Sequence, residues 1–209
     1  FGTWVRPDAF PVRGIRELTP ADCDLAESMG CRIRLLARAA RVGAALDMAV
    51  EPMLLPAWHL LASVEEEYNA VYLKCASSGD LSLFGKGAGA LPTATAVLGD
   101  LIDLAQHNSV RWPVPQATAL AGVDGHAATT RRHYLRVTGE PHPGLDRRID
   151  SLVRRAGLTV QNRASRGDGD IVHLGYVVSV ATAAAIDAVR QDVARLARVH
   201  AVLTLGVHE

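Results

Sequence analysis

The chain has 209 residues, 49% of them apolar and 5% aromatic, with 22 basic and 22 acidic side chains. That length holds one large domain or two small ones, and the balanced charge removes the electrostatic case for nucleic acid or an anionic membrane surface. An odd set of three cysteines (Cys23, Cys31, Cys75) without a C-x-x-C pair argues for reduced thiols in a cytosolic protein, and no apolar run approaches the roughly 20 residues that span a bilayer.

The opening Phe1-Gly-Thr-Trp4 lacks an initiator Met and a signal-peptide pattern, and reads like the middle of a longer chain. Thr19-Pro-Ala-Asp22 combines a capping hydroxyl, a proline at the first helical position and an acid at the third. With Gly30 as a stop, this predicts a helix over 20–29. Two β-like runs follow, 32–39 and 45–55, with a turn at Arg41-Val-Gly43; Pro52 and Pro56 should end the second, since proline cannot donate to a ladder. Glu65-Glu-Glu67 reads as a solvated turn. A third strand is expected over 69–75, a turn at Ser77-Ser-Gly-Asp80 and a short strand over 81–84. After the glycine-rich stretch from Gly85 to Ala90, Val97, Leu101 and Leu104 give 93–105 helical spacing. Between Gln106 and Thr130 the pattern dissolves into Pro, Gly, Ala and Thr, the best place for a domain boundary.

From Arg131 onward the order is β-α-β-β-α-β: a strand over 134–137, a helix opened by Pro143-Gly144 and closed by Gly157, a hairpin of 158–162 and 171–180 around Arg166-Gly-Asp-Gly-Asp170, a helix over 182–199 with Thr182 as N-cap, and a last strand over 201–205. The first helix should bury Leu145, Ile149, Leu152, Val153 and Ala156, and the second Ile186, Val189, Val193 and Leu196. This order is the ferredoxin-like split βαβ arrangement. The fold class is α+β: residues 1–106 contribute strands to a mixed sheet, 107–129 form a linker, and 130–209 form an antiparallel sheet with two helices on one face.

Two turns offer chemistry. Gly85-x-Gly87-x-x-Ala90 sits between a strand and a helix, where backbone amides and the helix start suit a phosphate or dinucleotide; a tight, closely packed turn explains the same residues. Pro143-Gly144 opens a helix, where an amino acid's carboxylate could approach the backbone; an ordinary βα turn explains it equally. The eight histidines show no H-x-x-x-H or H-E-x-x-H spacing, so no metal site is expected, and no serine- or cysteine-nucleophile signature occurs.

Taken together these segments resemble homoserine dehydrogenase over essentially the whole chain. Gly14-Ile-Arg-Glu-Leu-Thr-Pro-Ala-Asp22 looks like that family's G-I-x-x-L-T-P-x-D segment, and Val50-Glu-Pro52 and Asn69-Ala-Val71 look like its V-x-P and N-A-V strands. The run from Phe84 to Asp103, which includes Gly85-Lys-Gly-Ala-Gly89 and Leu91-Pro-Thr93, is close to a family signature, with Lys86 where the family usually has proline. The part after Arg131 is similar to the ACT domains appended to bacterial members; their usual Asp-x-Pro-Gly turn is here His142-Pro-Gly144 after Glu140-Pro141.

The resemblance implies a reversible, NAD(P)-dependent interconversion of L-homoserine and L-aspartate 4-semialdehyde in threonine, methionine and isoleucine biosynthesis. It implies that Gly85, Gly87, Ala88, Gly89 and Thr93 lie against the cofactor, and that His142, Gly144 and Leu145 form an effector turn for a regulatory amino acid. The Rossmann fingerprint and the catalytic lysine belong upstream of Phe1, so this chain holds no catalytic residue; neither Lys74 nor Lys86 occupies the lysine's position. A cytoplasmic homodimer or homotetramer is expected. The alternative is a non-catalytic module that binds an amino acid and dimerises.

Overall fold

A computed structural model describes residues 5–43, 45–106 and 130–208. Among these, the described parts of 1–62 and 117–209 form one compact unit and those of 63–116 a second. The expected 107–129 linker lies outside the described residues.

The first unit is built on a six-stranded mixed sheet in the order β1-β2-β8-β5-β7-β6. Its α1 (Pro20–Ser28) has Pro20 at N1, where the missing N–H is no loss, and Asp22 reaches back to accept from the Thr19 amide at 2.8 Å and its hydroxyl at 2.9 Å. β1 (Cys31–Val42) and β2 (Ala45–Pro56) form a long antiparallel hairpin. β2 runs through Pro52 instead of ending there. Val50 donates to Pro11 O and accepts from Arg13 N, and Leu54 O accepts from His208 N. Peptide groups alternate along a strand, so those of the even-numbered residues of β2 face away from β1, and Pro52 removes no bond from the β1–β2 ladder.

The rest follows the expected order: β5 (Arg131–Gly139), α3 (Leu145–Arg155), β6 (Val160–Asp168), β7 (Ile171–Ala181), α4 (Ala183–Ala194) and β8 (Val199–Val207). β5 lies between β7 and β8, antiparallel to both, and β7 pairs antiparallel with β6. β8 also pairs in parallel with β2 at Met53↔Gly206 and Leu54↔Val207, which adds the β1–β2 hairpin to the expected four strands.

Strand alternation divides the core between the two faces of this sheet. Leu135, Val137, Tyr176 and Val178 pack with Leu145, Ile149 and Val153 of α3 and Ile186, Val189 and Val193 of α4. Their neighbours Tyr134, Val177, Leu203 and Leu205 pack with Leu25, Ala26 and Met29 of α1. Adjacent positions on a strand point to opposite faces, so α1 covers the face that α3 and α4 leave open. Ala156, expected in the core, is exposed just beyond α3.

A buried charge pair crosses the second interface. The Asp22 carboxylate, fully buried, lies 2.9 Å from Arg136 Nε on β5. Arg136 also donates to Glu17 O and to the Thr138 hydroxyl, which in turn is hydrogen-bonded to His173 Nδ1 at 3.0 Å.

The second unit contains β3 (Tyr68–Cys75), β4 (Gly79–Lys86) and α2 (Ala90–Gln106). β3 and β4 pair antiparallel from Tyr68↔Lys86 to Cys75↔Gly79. Among the described residues no helix is long and apolar enough to cross a membrane.

Candidate functional site

The glycine stretch runs from the end of β4 to the start of α2. Gly85 and Lys86 end β4 opposite Asn69 and Tyr68. Gly87 N donates to Glu67 O at 2.9 Å, closing the hairpin end, and the chain then turns at Gly89 with φ +106°, a conformation that disfavours side chains. α2 begins at Ala90, three residues before the expected start. Thr93 therefore sits inside the first turn, where its amide donates to Gly89 O at 3.1 Å. Pro92 does not oppose the earlier start, since the first turn needs no N–H from it.

Gly85, Gly87, Ala88, Gly89 and Thr93 are all exposed. A Cβ on Gly85 would meet nothing within 4 Å, whereas one on Gly87 would stand 1.7 Å from Asn69 Nδ2. The turn is thus open at Gly85, in contact with Pro92 at Gly89, where a Cβ would stand 3.4 Å from its Cδ, and closed against Asn69 at Gly87. A ligand laid on Gly85 meets backbone, at Gly87 it meets the Asn69 side chain, and the first amides of α2 lack intrahelical partners by construction.

Lys86, between the two glycines, is held back along the hairpin. Its Nζ is 2.6 Å from Glu67 Oε1 and 5.4 Å from the centre of the Tyr68 ring, which itself stacks on Phe84 at 4.8 Å. The bond from Lys86 holds the Glu67 carboxyl below the usual carboxylate range.

The second expected site, His142-Pro-Gly144-Leu145, forms the turn between β5 and α3. Gly144 is the N-cap at φ 88°, Leu145 N donates to His142 O at 3.1 Å, and Arg148 N to Gly144 O at 3.0 Å. His142 is exposed and Leu145 is buried in the core beneath α3. The acid of this turn is Asp146, inside the helix, which accepts from Tyr176 Oη at 2.5 Å and from Arg163 at 2.9 Å. Glu140 points elsewhere, to Arg198 at 3.7 Å and His200 at 3.8 Å. The two candidate sites belong to different compact units.

Among the described residues no three of His, Cys, Asp and Glu are placed to hold a metal ion. One charged cluster carried no signal in the sequence. Arg38 meets Asp47 at 2.6 Å, and Arg131 reaches Asp47 at 3.5 Å and Glu51 at 3.3 Å, across about 80 positions of chain. Burial and the nearby Arg38 lower the pKa of Arg131 from its ordinary value.

Comparison with known proteins decides the family. The family model described as homoserine dehydrogenase matches residues 1–102. The homoserine dehydrogenases of Neisseria gonorrhoeae and Corynebacterium glutamicum are each 32% identical to the chain over 178 residues, covering 80% and 81% of it. A crystal structure of a homoserine dehydrogenase from Thiobacillus denitrificans superposes on the whole chain with a TM-score of 0.80 at 26% identity. The chain belongs to the homoserine dehydrogenase family. It spans about 40% of the curated relatives it matches and 50% of the Thiobacillus denitrificans chain. The S. aureus homoserine dehydrogenase at pH 6.0 shares the fold, with a TM-score of 0.64 at 22% identity over 98% of this chain and 49% of that one.

Proposed function

We propose that this chain is the C-terminal part of a homoserine dehydrogenase. On this reading residues 1–106 are the tail of the catalytic and dimerisation domain and residues 130–209 an ACT regulatory domain. The intact protein interconverts L-homoserine and L-aspartate 4-semialdehyde with NAD(P), and assembles as a homodimer or homotetramer. The observation that carries the reading is the exposed glycine turn from Gly85 to Gly89, with space above Gly85, at the head of a 17-residue helix in a family member.

The residues present fit a dinucleotide. Gly85 leaves space above the backbone, Gly89 presents the start of α2, and Ala88 adds only a methyl group. Gly85, Gly87, Ala88, Gly89 and Thr93 would form one wall of the pocket, and upstream polypeptide the rest. Bound there, the nicotinamide supplies the hydride chemistry. This chain's own contribution is to orient the cofactor through amides and to bring the partial positive charge of the α2 N-terminus near it. The proton-transferring lysine and carboxylates belong to the upstream part, so none of the residues here manages the reaction's proton.

Homoserine oxidation, followed through NADPH absorbance, tests this. A polypeptide extended upstream through a G-x-G-x-x-G unit and a D-x-x-x-K segment should turn over, and the 209-residue chain should not. Turnover by the chain alone would contradict the assignment. So would a Gly89→Val enzyme whose KM for the nicotinamide cofactor is unchanged.

A second reading, a non-catalytic module that binds an amino acid, draws support from the six-stranded unit, which has its own core on both faces of the sheet. Its effector would sit at His142, Gly144 and Leu145. With His142 in place of the acid of the usual turn, threonine should bind there weakly at most, and a micromolar Kd by calorimetry would show that the exchange is tolerated.

A further inference from the structure

The two faces of the β3–β4 hairpin differ. Tyr68, Tyr72, Phe84 and Lys86 fall on one, where Lys86 is engaged with Glu67 and lies over the Tyr68 ring. Val71, Leu73, Leu81 and Leu83 fall on the other, 44% to 65% exposed. Asn69, opposite Gly85, ends that apolar row with a carboxamide, on the side nearest the glycine turn.

That carboxamide accounts for Gly87. The backbone at Gly87 has no positive φ and does not itself call for glycine, unlike Gly89 at +106°. A Cβ on Gly87 would instead fall inside the Asn69 side chain, so glycine at this position makes room for the asparagine on the neighbouring strand. Over Gly85, by contrast, a Cβ would meet no atom within 4 Å. Asn69 is exposed, and no hydrogen bond joins its carboxamide to another described residue. Its N–H donors and its oxygen therefore stand unused beside the open part of the turn. A side chain already seated against backbone has less freedom to lose when a ligand arrives.

We propose that Asn69 is a cofactor-binding residue, whose carboxamide, seated on Gly87, hydrogen-bonds to the nucleotide that the glycine turn receives. This rests on the dehydrogenase reading of the turn. The amides of the turn are donors alone, whereas the carboxamide adds an acceptor, and a dinucleotide carries hydroxyl and amide groups that use both. Packing on Gly87 would be served equally by an apolar side chain of the same shape, which would offer the ligand nothing.

Equilibrium binding of NADPH to the upstream-extended enzyme, read from nucleotide fluorescence, tests the proposal. Asn69→Leu keeps the branching at Cγ and removes every donor and acceptor. Asn69→Asp keeps the shape and sets a negative charge beside a ligand that already carries several. Asn69→Leu should raise the Kd about tenfold, and Asn69→Asp further. The aspartate penalty should shrink as salt is added, which a packing defect would not do. Gly87→Ala, by displacing the carboxamide, should raise the Kd in the parent enzyme and have little further effect in Asn69→Ala. Melting curves of the Asn69 variants without nucleotide should match the parent; if Asn69→Leu does not fold, Asn69→Asp and its salt dependence decide. An unchanged Kd in the Asn69 variants, or a raised Kd in Asn69→Asp that salt does not move, overturns this proposal and leaves the dehydrogenase reading standing. An extended enzyme that binds no NADPH overturns both.

Discussion

The pair Asp22–Arg136 is the point at which the N-terminal helix is fastened to the C-terminal sheet, and removing one partner should show how firmly. Asp22 is fully buried and Arg136 is 5% exposed, with 2.9 Å between them. Replacing Asp22 with Leu leaves a buried guanidinium without its counter-ion and the Thr19 amide without its acceptor. Breaking a buried pair from one side costs about 3–5 kcal/mol. For a protein of this size each kcal/mol moves the melting temperature by roughly 2–4 °C, so the midpoint should fall by about 6–20 °C. Arg136→Met alone should lose a similar amount. The double variant, Asp22→Leu with Arg136→Met, removes both charges at similar volume and should regain most of the loss; about 1 kcal/mol remains for the Thr19 amide. Denaturant titration read by circular dichroism gives all four corners of this cycle. Single losses below about 1 kcal/mol, or a double variant as weak as the sum of the singles, would refute the argument that a desolvated pair fixes α1.

Three further outcomes follow from the geometry. Gly139→Ala should destabilise the first unit by about 1–3 kcal/mol in the same denaturant assay, because the added Cβ would stand 2.3 Å from the backbone oxygen of Arg198, which cannot swing aside. Burial first, then Asp22 beside Tyr134 and a hydrogen bond to Asp146 at Tyr176, raises both phenols above the ordinary tyrosine value. A raised phenol pKa favours the folded state fully below the unfolded value of about 10 and loses that contribution as pH rises beyond it, so alkaline titration should show these two tyrosines ionising together with unfolding. In the chain alone, Leu101→Glu should reduce self-association measured by sedimentation, since Leu101 is 57% exposed on a helix with no buried residue. In the upstream-extended enzyme the same change should lower stability by about 1.5–3 kcal/mol.

Residues that act through their neighbours in the chain were legible before any coordinates. Thr19-Pro-Ala-Asp22 announced α1, and Gly144, Gly157 and the Arg166–Asp170 turn separated the elements of the ferredoxin-like order at nearly their observed places. The Gly85–Gly89 stretch could be placed between a strand and a helix because every part of that signal is contiguous. Residues that act across the sheet were not legible. Asp22 reads as an ordinary helix-start acid, and only β5 lying beneath α1 turns it into a core ion. The join between the two halves of the sheet rests on Met53↔Gly206 and Leu54↔Val207, apolar or small residues that any strand could carry. Pro52 misled for a related reason: whether a proline ends a strand depends on which side its nitrogen faces, and the side is set by Pro11 and Arg13, far away in sequence.

The contrast between the two units bears most directly on what this chain does. In the first, every helix has a buried stripe: Leu25 and Ala26 in α1, Ile149 and Val153 in α3, Val189 and Val193 in α4. α2 has none, although Leu91, Val97, Leu98, Leu101, Ile102 and Leu104 share one side of it, all between 47% and 80% exposed. An amphipathic helix whose whole apolar stripe is exposed gains stability when other polypeptide covers that stripe. The glycine turn at its head carries little hydrophobic surface of its own, so whatever encloses α2 also decides what stands over Gly85 and Gly89. On the proposed function, cofactor binding and the covering of α2 are one requirement, and a variant that uncovers the helix should lose the nucleotide before it loses the fold of the six-stranded unit.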